Sequence, residues 1–194
     1  EAAKQDPARV AGVHWQLIEL GAEIESVRTA LRQRHTQAVE QLRRDPRDVA
    51  AARMLYVTTL ALHDRQVWND LPRLLPRENP SRWGVLVGWL GRANSPEAFP
   101  IPVDALDWGA FFAEGVVWLR ERVAIAQRQR PANYEELIYE HRTRLIRVGV
   151  TGVLLLAAAG RDDAAKRLAE AVQTVHRSQR MTEVLTRALS GKSG

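Results

Sequence analysis

The residues with the chemistry to bind a metal or move a proton are few and scattered. The chain has no cysteine and five histidines, His14, His35, His63, His141 and His176. None forms a His-Glu-x-x-His motif, pairs with another at i, i+4, or follows a Glu by three positions. These are the spacings that put two ligands on one helical face, so neither a zinc hydrolase nor a di-iron bundle is expected. His141 falls on an apolar stripe with Tyr134, Ile138, Leu145 and Val148. It reads as a core or boundary histidine hydrogen-bonded to a neighbour, with a ligand or a proton switch as the minor reading. Glu136 and Glu140 lie one helical turn apart beside Tyr139, a spacing that suits an acid/base pair or a bound cation. Arg144, four residues after Glu140, favours an ordinary i, i+4 ion pair instead. No GxGxxG, Walker or GxSxG sequence is present. The expectation is a non-enzymatic protein with no catalytic residue, no metal site and no cofactor.

The aromatic residues are a stronger functional candidate. Trp83, Trp89, Phe99, Trp108, Phe111, Phe112 and Trp118 crowd around a proline-rich segment. Large aromatics build cores, and they also anchor partners. Core is the expectation for most of them. Trp83, Trp89, Phe99, Trp108, Phe111 and Trp118 are taken as candidate partner-binding residues, with Trp83, Trp89 and Phe99 partly exposed. Gly84 and Gly88 form a GxxxG pair between Trp83 and Trp89, which suggests a close helix crossing.

These side chains must be carried by helices, because the strand signals are nearly absent. Asp6-Pro7 is a helix start. Val10, Val13, Leu17, Leu20, Ile24, Val27 and Leu31 then follow in strict 3-4 alternation, the a/d seam of a coiled coil. The seam falters at Arg34, and Ala38 and Leu42 resume it, so the second half of this helix should join the globular body. Residues 1–44 are read as this long helix, docked on the body or paired with another. Asp45-Pro46 stops it and starts a second helix that runs to Leu62 and is apolar on several faces. A short helix from Arg65 to Leu75 and another from Pro80 to Ala93 complete a middle region of helical hairpins, 45–93.

Residues 94–102, with Pro96, Pro100 and Pro102, form the expected boundary loop. After it, three long helices are expected to pack antiparallel over 103–189. Asp104 caps the first, which Pro131 stops. Asn133 caps the second, which ends at Gly160. Asp162 starts the third, which runs to Leu189. Residues 190–194 read as a disordered tail.

The net charge is +5, and the basic residues are 25 Arg against Lys4, Lys166 and Lys192, a bias that suggests a GC-rich bacterial genome. Seven Arg fall between Arg28 and Arg53 and seven between Arg120 and Arg147, but acids interleave with both runs. A nucleic-acid-associated regulatory protein is therefore the alternative to a protein partner, and nucleic acid is not favoured. The longest apolar run, Val148 to Gly160, is too short to cross a bilayer, so no transmembrane segment is expected. The chain opens at Glu1 without Met, which implies an upstream segment. Its setting is then either the bacterial cytoplasm or the soluble part of an anchored or exported protein.

Residues 45–75 carry a DP-helix-turn-helix cadence, with Leu55 at a large-residue position, His63-Asp64 at the turn and Trp68 in the second helix. Gly160, Ala165 and Ala169 in the segment GRDDAAKRLAEAV stand at small-residue positions. In both stretches the chain resembles the tetratricopeptide-repeat family, although the family's Trp-Leu-Gly-Tyr signature is missing. The resemblance implies a protein-binding scaffold. The overall expectation is all-α: tetratricopeptide-like helical hairpins, a long N-terminal coiled-coil-like helix and a C-terminal three-helix bundle. Its partner would be another protein or a membrane-associated complex, with self-association through the seam as a further expectation.

Overall fold

In the computed structural model, residues 25–62, 65–93, 101 and 103–190 are described, and among them every regular element is a helix. The chain forms two compact units that divide between Trp89 and Leu90. That point lies inside a helix, a turn before the expected boundary at 94–102. Residues 94–100 and 102 are outside the described residues, as are 1–24 and 191–194.

The first unit holds α1 (Glu25–Arg44), α2 (Val49–Leu62), α3 (Arg65–Leu74) and most of α4 (Arg82–Ala93). Helix α1 carries Glu25 in its first turn and Arg43 and Arg44 in its last, charges that complement the helix dipole. It packs along α2 and buries Ala38 and Leu42, so its second half joins the body as the faltering seam suggested. Helix α2 buries Ala51, Ala52, Leu55 and the run Thr58 to Leu62, in keeping with its all-round apolar pattern.

The start of α2 corrects the sequence reading. Asp45 Oδ1 accepts from Arg47 N (3.0 Å) in a tight turn, and the helix begins only after Asp48. Asp48 Oδ1 accepts from Ala51 N (2.9 Å) and its Oδ2 from Gln41 Nε2 (3.1 Å), so Asp48 is the cap. The Ala51 amide, with help from Gln41, holds the Asp48 carboxyl below its ordinary value. Helix α3 contains Pro72, which removes one helical hydrogen bond, and the helix ends two residues later.

One buried polar residue joins the turns of this unit. Asn79 donates from Nδ2 to the carbonyls of Pro46 (3.1 Å) and Asp48 (3.0 Å). Its Oδ1 accepts from Ser81 N (3.0 Å) and from Ser81 Oγ (2.6 Å). Both donors and the acceptor are thus used, as a buried amide requires.

The second unit opens with a 3-10 turn (Val103–Ala105), followed by α5 (Trp108–Gln129), α6 (Tyr134–Ala158), α7 (Asp162–Val175) and α8 (Gln179–Leu189). Here too the first cap is corrected. Asp107, not Asp104, caps α5 by accepting from Ala110 N (3.1 Å), and Asp104 sits in the 3-10 turn. Asn133 stands at the start of α6 but makes no side-chain capping bond. Gly160 ends α6 with φ +69°, as expected. Arg161 N reaches Leu156 O (2.8 Å) and Gly160 N reaches Ala157 O (3.0 Å), the paired bonds of a Schellman cap.

The expected third helix is two helices. His176 and Ser178 are extended, and Ser178 Oγ accepts from Met181 N (3.2 Å), which starts α8 afresh. A serine able to cap outcompetes helix continuation at this point. The C-terminal bundle therefore has four helices rather than three.

Helix α6 packs against α5, α7 and α8, and α5 also meets α7. The approach is closest at two glycines. A Cβ placed on Gly149 would collide with Val172 and stand 2.7 Å from Phe112 Cε2. One placed on Gly152 would stand 2.5 Å from Trp108 Cε3 and 2.7 Å from Leu168 Cδ2. Rising numbers on α6 meet falling numbers on α5 and α7, so both run antiparallel to α6. In the first unit, Gly88 lies against Tyr56, with 2.7 Å from a Cβ to its hydroxyl, while Gly84 faces open space. The GxxxG spacing around Trp83 is therefore half used.

Gly149→Ala and Gly152→Ala are each expected to cost about 1–3 kcal/mol, because packed side chains must move to admit the methyl group. Gly84→Ala should instead gain about 0.5–1 kcal/mol from helix propensity alone. Chemical denaturation of the three variants measures the contrast. Asn79→Ala removes the hydrogen bonds to Pro46 O and Asp48 O and those accepted from Ser81, and a loss of about 1–3 kcal/mol is expected in the same experiment.

Candidate binding surface

The six candidate aromatic residues do not form one surface. Trp83 is 5% exposed, Trp89 0%, Trp108 3% and Phe111 1%. These four are core, and the expectation that they face a partner is corrected by their burial. Trp89 stacks at a tilt on Trp68, with ring centroids 6.4 Å apart, and its indole N–H has no hydrogen-bond partner. Trp108 donates from Nε1 to Val103 O (3.0 Å), which ties the 3-10 turn to α5. Phe99 lies outside the described residues. Trp118 alone is half-buried.

Trp118 belongs to a small cluster with a charged rim. His141 meets it edge-on, with centroids 4.8 Å apart and planes at 75°. The Arg122 guanidinium stands over the Trp118 ring, 5.6 Å from its centre. His141 Nδ1 has no hydrogen-bond partner among the described residues, contrary to the sequence reading of a bonded core or boundary histidine. Desolvation holds the His141 imidazole below its ordinary value, and Arg144 and Arg122 add to the effect while Glu140 opposes it. Glu136 and Glu140 are both exposed, and Glu140 forms no ion pair with Arg144. Among the described residues, no group of three or more His, Asp or Glu side chains is placed to hold a metal ion.

Of the seam residues, Val27 and Leu31 are half-buried on α1. Val10, Val13, Leu17, Leu20 and Ile24 lie outside the described residues. His35, on the same helix, faces α2. Thr58 Oγ1 gives its proton to Met54 O (2.8 Å), so at 3.0 Å it accepts from His35 Nδ1. A structural bond across the α1–α2 interface thus accounts for this imidazole.

The sequence reading missed a cleft of about 400 Å³ in the second unit. One wall is the segment from Val103 to Gly109. The other is the face of α7 that carries Ala164, Leu168 and Ala171, at helical spacing. Leu106, Trp108 and Leu156 contribute apolar surface. Arg161 on the rim pairs with Asp104 at 3.8 Å, both largely exposed. Arg167, also on the α7 wall, is exposed and has no ion pair among the described residues. The i, i+4, i+7 pattern of α7 was readable, but the opposing wall arises from the 3-10 turn, which has no periodic signal.

No family model, no curated protein and no solved structure matches this chain. The described residues contain no helix long and apolar enough to cross a membrane.

The division between core and surface is directly measurable. Trp89→Ala and Phe111→Ala are each expected to lose about 3–5 kcal/mol in denaturant unfolding. Tyr139→Ala, at a site 71% exposed, should stay within about 0.5 kcal/mol of the parent.

Proposed function

We propose that the chain is a non-enzymatic helical interaction module that holds a peptide segment of a partner protein in the α7 cleft of its second unit. The observation that carries the reading is the cleft itself, with an apolar floor and Arg161 and Arg167 at its edge. Its volume lies in the range of binding clefts. Because Asp104 already answers Arg161 while Arg167 has no ion pair among the described residues, the segment that fits is apolar with an acidic side chain to meet Arg167. The resemblance of 45–75 and 160–172 to tetratricopeptide hairpins supports the same class of function, since those scaffolds bind peptides. Self-association through α1, by way of Val27, Leu31 and the apolar positions before them, belongs to this reading as a second contact.

A displayed library of random peptides tests it, selected on the wild-type protein and counter-selected on an Ala171→Trp variant that fills the cleft. The expected result is a set of acidic, apolar peptides that bind the wild type at micromolar affinity and lose at least tenfold with Arg167→Glu. Peptides that bind both proteins equally, or none at all, would overturn the cleft assignment. Retention of duplex DNA at physiological salt would favour the nucleic-acid alternative instead.

A further inference from the structure

The Trp118–His141 contact joins α5 to α6, and one of its two rings, the imidazole, responds to acid. The imidazole lies edge-on to the indole, and its Nδ1 has no hydrogen-bond partner. An imidazolium there would hold a proton on both nitrogens, and among the described residues no side chain or carbonyl receives the one on Nδ1. Two guanidiniums already act on the site. Arg122 comes from α5 and stands over the same indole, and Arg144 comes from α6. The one carboxylate that opposes them is Glu140 on α6, and it is exposed. On α8, which also packs on α6, the charged residues Arg180, Glu183 and Arg187 are all exposed.

We propose that this contact is an acid-sensitive latch between α5 and α6: a proton taken up at His141 sets a third cation beside Arg122 and Arg144 and weakens the pairing of the two helices. An imidazolium against an indole gains some cation–π attraction. Arg122 already draws on that ring, so the gain is shared between two cations that repel each other. Desolvation, Arg144 and Arg122 act against the imidazolium and hold the imidazole below its ordinary value.

The sign of the pH dependence follows. A folded-state value below the unfolded one means that the unfolded chain binds more protons in the interval between them. The contribution is fully present above the ordinary imidazole value of 6.5 and is lost as pH falls from there through the folded-state value.

Titration of the His141 ring protons by NMR in the full chain tests the latch. The expected midpoint is below 6.5. Arg122→Gln should raise it and Glu140→Gln should lower it, shifts that a purely steric contact would not produce. Thermal melts provide a second readout: as pH falls from about 7.5 to about 5.5, the wild type should lose more of its melting temperature than His141→Gln. A midpoint at or above 6.5 in the wild type, no movement in the two charge variants, or equal losses in the melts would overturn the proposal.

Discussion

The second unit depends on the absence of side chains at Gly149 and Gly152. There α5 and α7 lie against bare backbone of α6, with Phe112 and Val172 at one level and Trp108 and Leu168 at the next. Interiors are packed to crystal density, so a gap of one methyl group on either side is felt by everything that leans on it. The two glycines bring two large aromatic rings and two aliphatic chains onto one stretch of helix about a turn long. The Trp108 ring is then near enough to the 3-10 turn to donate to Val103 O, which positions one wall of the cleft. The geometry of the candidate site therefore begins with residues that do not line it.

The first unit is organised differently. Its central helix, α2, is apolar on nearly every face, and of the two threonines it buries Thr58 is tied locally. Thr58 bonds back to its own helix and accepts from His35 on α1. A hydroxyl and an imidazole arranged this way satisfy each other and fix the register of α1 on α2, a distinction that Ala38 and Leu42 alone would not make. The interface thus combines nonspecific apolar burial with one directional bond.

Much of the fold was legible from local chemistry. The helical character, the end of α1 near Asp45, the stop at Pro131 and the left-handed cap at Gly160 all follow from residues that act within a turn of themselves. The errors share a cause. Asp45 and Asp48, and Asp104 and Asp107, are pairs of acids three residues apart, and sequence alone does not say which one caps. The break before α8 was missed because Val175 and Leu185 continue an apolar pattern across it, while Ser178 competes for the backbone. The candidate site was less legible. Aromatic residues near a proline-rich segment suggested a core that could also face a partner, and the distances that bury Trp83, Trp89, Trp108 and Phe111 and decide between the two are tertiary. Gly149 and Gly152 look unremarkable in sequence, because a glycine's value depends on what stands opposite it.

The amide of Asn79 has a further consequence for how the first unit opens. Its two donors end on carbonyls more than thirty positions earlier, at the entrance to α2, while its oxygen holds Ser81 just ahead of α4. The leading turns of two helices distant in sequence thus share one side chain, and neither can fray without stranding polar groups of the other. Local fluctuations at these two places become a single event, and amide protons at both should exchange with solvent as one cooperative unit rather than as two loose ends.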